Sequence, residues 1–152
     1  MTLIEELDAI RRISELKARY FRFVDTQDWE GFRGLFADDA TLFFPETGQE
    51  EPAAIDDAMP MIRDFLEGVT SVHHGHMPEI EFLTDDHATG IWSMEDIVRW
   101  QPGRAAVVGQ EMMHGYGHYH DEYVKRGSRW LIKSLRLSRL RLERHKPSVS
   151  VT

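Results

Sequence analysis

Three sets of residues in this chain could carry chemistry that packing alone does not call for. Six of its eight histidines lie in two short segments, His73-His74-Gly75-His76 and His114-Gly115-Tyr116-Gly117-His118-Tyr119-His120. Imidazole is the side chain whose charge changes near neutral pH, so clustered histidines point to proton transfer or metal binding. Two aspartates also stand where an acid is out of place. Asp25 follows a long amphipathic stretch, at a helix C-terminus where the dipole repels an anion. Asp96 alternates with Trp92, Met94 and Val98, which puts a carboxylate on an apolar strand face. If that face looks into a pocket, desolvation raises the Asp96 pKa unless a basic group is close; with the faces reversed, Asp96 is an exposed partner for a neighbouring strand. Asp25, His73 and Asp96 together fit general acid–base catalysis, which needs a base and a carboxylate to orient it in an apolar pocket. Only one of His73 and His74 can face inwards on a strand, and the sequence leaves open which.

The second histidine segment divides by parity. Gly115, Gly117, Tyr119 and Asp121 share one face, and Tyr116, His118 and His120 share the other. Glycines make room for a ligand or for close backbone packing, which favours Tyr119 inside the cavity and His118 and His120 outside it. A metal site competes with this reading. His74 and His76 followed by Glu79 have cupin-like ligand spacing, and His118 and His120 could add imidazoles. Nucleophile motifs, a phosphate loop and a dinucleotide fingerprint are absent.

The elements that must hold these residues follow from periodicity. Ile4, Leu7, Ile10, Ile13, Leu16, Tyr20 and Val24 recur at helical spacing, and Thr2 with Glu5 forms a capping-box pair at the start. Asp28 caps a short helix through Phe36, and residues 40–44 form a strand stopped by Pro45. A loop runs to Pro52, and a third helix spans roughly 53–67, bent or broken at Pro60 and stopped by Gly68. All that follows reads as strand: a segment around Ile80 and Phe82, then residues 89–100, 107–124 and 130–142. In the last of these the apolar parity changes between Leu137 and Leu140, which predicts a β-bulge near Ser138. Three helices followed by a meander of long curved strands make an α+β fold with the helices on the concave side of the sheet. Residues 1–145 are expected to form one domain, and 146–152 a polar tail.

Composition narrows the function. The chain has 152 residues, 41% of them hydrophobic, and no cysteine, which excludes thiolate catalysis and cysteine-ligated metals. Its 18 Lys and Arg against 26 Asp and Glu give a net charge of -8, which argues against nucleic acid or an anionic membrane as partner. No long apolar run and no basic-then-apolar N-terminus are present, so the expected location is cytoplasmic.

Several stretches resemble the SnoaL-like part of the nuclear transport factor 2 (NTF2-like) superfamily, in the branch of scytalone dehydratase and bile-acid 7α-dehydratase. They are residues 16–29, 35–41, 70–74, 88–90, 117–123 and 127–132. The resemblance implies an NTF2-like cone of strongly curved mixed sheet plugged by helices, a deep apolar pocket, and a homo-oligomer, dimer or trimer. It places His73 at the catalytic histidine and Asp25 at the aspartate that orients it. Tyr20 and Asp96 match further catalytic positions, and Arg136 a site arginine. Val24 and Phe44 stand where substrate-polarising tyrosines are expected, so the chain departs from scytalone dehydratase there. With Trp92, Met94 and Tyr119 these residues form the expected substrate pocket. The implied activity is a lyase or isomerase, without cofactor or metal, acting on a small apolar, cyclic molecule bearing a hydroxyl or carbonyl. A non-catalytic carrier of hydrophobic ligands and a cupin-like metal enzyme are the alternatives.

Overall fold

A computed structural model describes residues 1–147; the expected polar tail lies mostly outside them. Helix α1 (Leu3–Thr26) begins with the capping box, Thr2 and Glu5 satisfying each other's backbone N–H groups. Its apolar stripe is buried only from Ala9 onwards; Ile4 and Leu7 are exposed. The helix ends at Gln27, in the left-handed region at φ 56°. Asp28 then caps α2 (Trp29–Arg33) by accepting from the Gly31 N–H.

Strand β1 (Phe36–Phe43) starts earlier than the apolar run indicates. It is followed by a 3-10 turn at Pro45–Thr47, β2 (Ala53–Ala54) and α3 (Ile55–Phe65). Pro60 lies inside α3 without ending it. Strands β3 (Val69–Thr84) and β4 (His87–Trp100) form a long hairpin, so the first histidine segment is part of a strand and does not merely precede one. The run predicted as strand from Val107 instead opens with a helix, α4 (Pro102–Val108). Proline at its first position is preorganised for a helix, and Gly109 at φ 68° terminates it. β5 (Met112–Arg126) and β6 (Arg129–His145) complete the sheet.

The strand order is β2-β1-β6-β5-β4-β3, antiparallel from β3 through β6, with β1 parallel to β6. This is the mixed, curved α+β sheet of an NTF2-like cone. The predicted bulge lies at Leu140, since Tyr116 pairs with Arg141 while Gly117 pairs with Arg139. Before it, Leu135, Leu137 and Arg139 face the cone; after it, Leu142 and Arg144 do. Among the described residues no helix is long and apolar enough to cross a membrane.

Candidate active site

The last turns of α1 cross the inner face of the sheet, setting Asp25 against β3 and the Tyr20 ring against Tyr119 of β5, with Val24 lining the cavity. The strand register sets His73 opposite Asp96, and Asp96 opposite Gly115. These elements enclose a cavity of about 630 Å³, within the usual range for small-molecule sites. Tyr20, His73, Asp96, Tyr119 and Arg139 supply its polar surface at one end, and Val24, Phe32, Phe44, Val98 and Leu137 are among its apolar walls.

Asp25 is a helix-end acid with a purpose-built set of donors. Its Oδ1 accepts from the Ser71 hydroxyl at 2.8 Å and lies 2.6 Å from His73 Nδ1, while Oδ2 accepts the His73 backbone N–H at 2.8 Å. These contacts offset the unfavourable helix dipole. A carboxylate on Nδ1 fixes the proton there, leaving the Nε2 lone pair free. His73 is the inward residue of the pair, and His74 is exposed.

Asp96 is 2% exposed, as its apolar neighbours predict. It is not alone. The Arg139 guanidinium grips both of its oxygens, Nη1 on Oδ1 at 2.7 Å and Nη2 on Oδ2 at 2.8 Å, and Nε reaches Glu46 Oε1 at 3.3 Å. Burial opposes the charged guanidinium, but the hydrogen bonds and charge of Asp96 outweigh it, and the Arg139 pKa stays above its ordinary value. Asp96 Oδ2 also lies 3.9 Å from His73 Nε2. The glycines leave volume for this ion pair and for the backbone. A Cβ on Gly115 would collide with Arg139 Nη1 and Asp96 Oδ1, and one on Gly117 with the Ser138 carbonyl at the bulge.

Tyr20 and Tyr119 both line the cavity, their rings edge to face with centroids 5.7 Å apart. Burial pushes both phenols well above their ordinary pKa; the Asp121 charge adds to this at Tyr20, and Tyr20 and Asp96 add to it at Tyr119. They remain protonated donors at physiological pH.

Three expected substrate contacts are elsewhere. Trp92 donates to the Tyr123 hydroxyl at 2.8 Å, and Tyr123 donates to Asp121 at 2.6 Å, in a part of the core sealed by α1. Met94 is behind the cavity wall, its sulfur 3.5 Å from Arg139 Nη1. Arg136 is exposed, because between the irregularities at Lys133 and Leu140 the odd positions of β6 face inwards; the arginine that lines the cavity is Arg139. Its place in the odd series with Leu135 and Leu137 was the available signal.

Sequence reasoning also passed over Lys17, three residues before Tyr20 on the stripe. Its ammonium is 2.7 Å from Asp121 Oδ2, both side chains at 0% exposure, and 3.8 Å from the Tyr119 ring centroid. Tyr119 faces inwards, while His118 and His120 are half-buried on the outer face, where His120 Nε2 is 2.9 Å from Ser138 Oγ. His114 Nε2 is 2.7 Å from Glu95 Oε1. Among the described residues no three His, Asp or Glu side chains converge to hold a metal ion.

Known proteins extend this picture. The chain is 26% identical over 142 residues to "Probable cyclase FGR4" of Gibberella zeae, an alignment covering 88% of this chain and 92% of that protein. A candidate scytalone dehydratase from Novosphingobium aromaticivorans superposes with a TM-score of 0.81 at 19% identity, covering 97% of this chain and 94% of that one. The hexachlorocyclohexane dehydrochlorinase LinA Type2 superposes at 0.78 and 16% identity, covering 99% and 100%. At such identities the two structures attest the fold. The profile of the SnoaL-like domain matches residues 5–136, most of the chain, and the protein therefore belongs to the SnoaL-like domain family.

Proposed function

We propose that this protein is a small lyase or isomerase that works without cofactor or metal, moving a proton of an apolar, cyclic substrate that carries a hydroxyl or carbonyl. The observation that carries this reading is His73, with Nδ1 held by Asp25 at 2.6 Å and Nε2 left free in an apolar cavity. That is a positioned, oriented general base. In an elimination, Nε2 takes a proton from carbon, the C–H electron pair becomes the new C=C bond, and the C–O bond breaks. The departing hydroxyl takes a proton from Tyr20 or Tyr119 and leaves as water, and the imidazolium returns its proton to the phenolate. Between Asp25 and Asp96 the transient imidazolium is flanked by two carboxylates, which favours charge where it develops. In an isomerisation the same base would remove a proton beside a carbonyl and return it to another carbon, with the phenols hydrogen-bonded to the enolate oxygen. The names of the cyclase and dehydratase relatives agree with carbon–proton chemistry.

The test follows α-proton exchange of 2-tetralone in D2O by NMR. Exchange accelerated by the protein and lost in His73→Gln supports the reading. Equal rates for the two proteins, or no acceleration over buffer, would remove carbon-acid catalysis and leave ligand binding.

A further inference from the structure

We infer that Ser71 is a positioning residue for the His73 base: its hydroxyl keeps the Asp25 carboxylate turned so that one oxygen stays on His73 Nδ1. This rests on the reading of His73 as the base. Asp25 comes from the end of α1, and the three donors it meets among the described residues all come from β3. Ser71 and His73 stand two positions apart on that strand and so share its inner face, paired across to Val98 and Asp96 of β4. Ser71 Oγ donates to Asp25 Oδ1 at 2.8 Å, His73 Nδ1 lies 2.6 Å from the same oxygen, and the His73 backbone N–H reaches Oδ2 at 2.8 Å.

The terminal torsion of an aspartate is broad, so a carboxylate held at one oxygen turns easily. With only the backbone bond to Oδ2, Oδ1 could swing out of the imidazole plane. The Ser71 hydroxyl anchors the other oxygen. The carboxylate then has one orientation, and the imidazole one acceptor that keeps its proton on Nδ1. Ser71 is 8% exposed, on a face where an apolar side chain would be the ordinary choice, and a hydroxyl buried there needs the acceptor that Asp25 supplies.

Docking of the helix on the strand does not depend on this hydroxyl. Gln27, at the end of α1, donates its side-chain amide to the Leu66 carbonyl at 2.9 Å and to the Val69 carbonyl at 3.4 Å. One turn before Asp25, the Phe21 ring packs on Gly75, where a Cβ would collide with it. These ties lie on either side of Ser71 along β3, so its bond to Oδ1 is left to orient the carboxylate.

Exchange of 2-tetralone in D2O and the proton NMR signal of the His73 Nδ1–H in H2O test this. Ser71→Ala should lower the saturated exchange rate about tenfold, the size of one hydrogen bond to a charged group, at an unchanged half-saturating concentration. It should also broaden the Nδ1–H signal and move it upfield. Ser71→Thr keeps the hydroxyl on a residue suited to a strand and should restore both. Ser71→Cys, a weaker donor of similar volume, should fall between them and replaces Ser71→Ala in the comparison if that variant does not fold. Gln27→Ala should lower the urea midpoint and leave the signal in place. An unmoved signal or an unchanged rate in Ser71→Ala, a loss that Ser71→Thr does not restore, or the same loss of signal in Gln27→Ala overturns the inference. A downfield move also overturns it, since the hydroxyl would then only compete with the imidazole for Oδ1. If the unmodified protein leaves exchange at the buffer rate, the proposed function falls and the signal alone decides. A shift in Ser71→Ala that Ser71→Thr reverses then keeps Ser71 as the residue that orients the pair, and an unmoved signal removes it.

Discussion

Two buried ion pairs are built on the inner face of the same sheet. Asp96 and Arg139 join β4 to β6 beside the cavity, and Lys17 and Asp121 join α1 to β5 in the sealed core. In the first, the arginine keeps 12% of its side-chain exposure, both carboxylate oxygens are gripped, and Glu46 takes the remaining Nε–H. In the second, both side chains are at 0% exposure, Tyr123 adds a hydrogen bond, and one carboxylate oxygen, Asp121 Oδ1, has no partner among the described residues. Burial lowers the Lys17 pKa even against the opposing pull of Asp121. The same kind of pair therefore serves two ends. Where a cavity opens on it and an imidazole lies 3.9 Å away, it shapes the polar end of that cavity; where rings close over it, it fixes the packing of a helix on a sheet.

Removing one partner of the sealed pair is the strongest way to test this difference. Lys17→Met leaves Asp121 buried and unpaired and should cost about 3–5 kcal/mol, measured by urea denaturation. Lys17→Met combined with Asp121→Asn keeps an acceptor for Tyr123 and should recover most of the loss. Failure of the double variant to recover would mean that the charges themselves hold the core.

At the cavity pair, Gly115→Ala drives a methyl group into Arg139 and Asp96 and should cost about 1–3 kcal/mol as the fork is displaced. An unchanged denaturation midpoint and unchanged His73 ring signals would show that the pair yields easily. Asp96→Asn should cost less, about 1–2 kcal/mol, because Glu46 and cavity solvent remain for Arg139. Its larger effect is on function: with the anion 3.9 Å from Nε2 removed, the protein-accelerated exchange of 2-tetralone should slow. An unchanged exchange rate would retire Asp96 from the site.

The outer face gives the smallest effect. Burial, followed by the nearby charges of Arg136 and His118, holds the His120 pKa below its ordinary value. The folded state thus binds this proton less readily than the unfolded chain, and stability falls as pH drops below about 6.5 through the depressed value. Solvent screening keeps the loss small, and His120→Gln should flatten it in acid denaturation curves.

Local periodicity and local chemistry were legible in the sequence because they are local. Thr2 and Glu5 announce a capping box in four residues, and alternation with Trp92, Met94 and Val98 favoured the inner face for Asp96 without deciding it. Asp25 declared itself by standing where a helix end repels an acid, and the parity change in the last strand located its bulge to within two residues. Helix α4 was missed because the short apolar run Ala105–Val108 fits a strand or a helix, and the choice fell to Pro102 and Gly109 at its ends. What faces what across the sheet was decided by tertiary structure alone. Arg139 meets Asp96 because the inner face of β6 folds back over Gly115, and Lys17 meets Asp121 because α1 lies across β5, a pairing 104 residues apart in sequence. Register and bulges set such encounters, and a shift of one residue would have turned Arg136 inwards in place of Arg139.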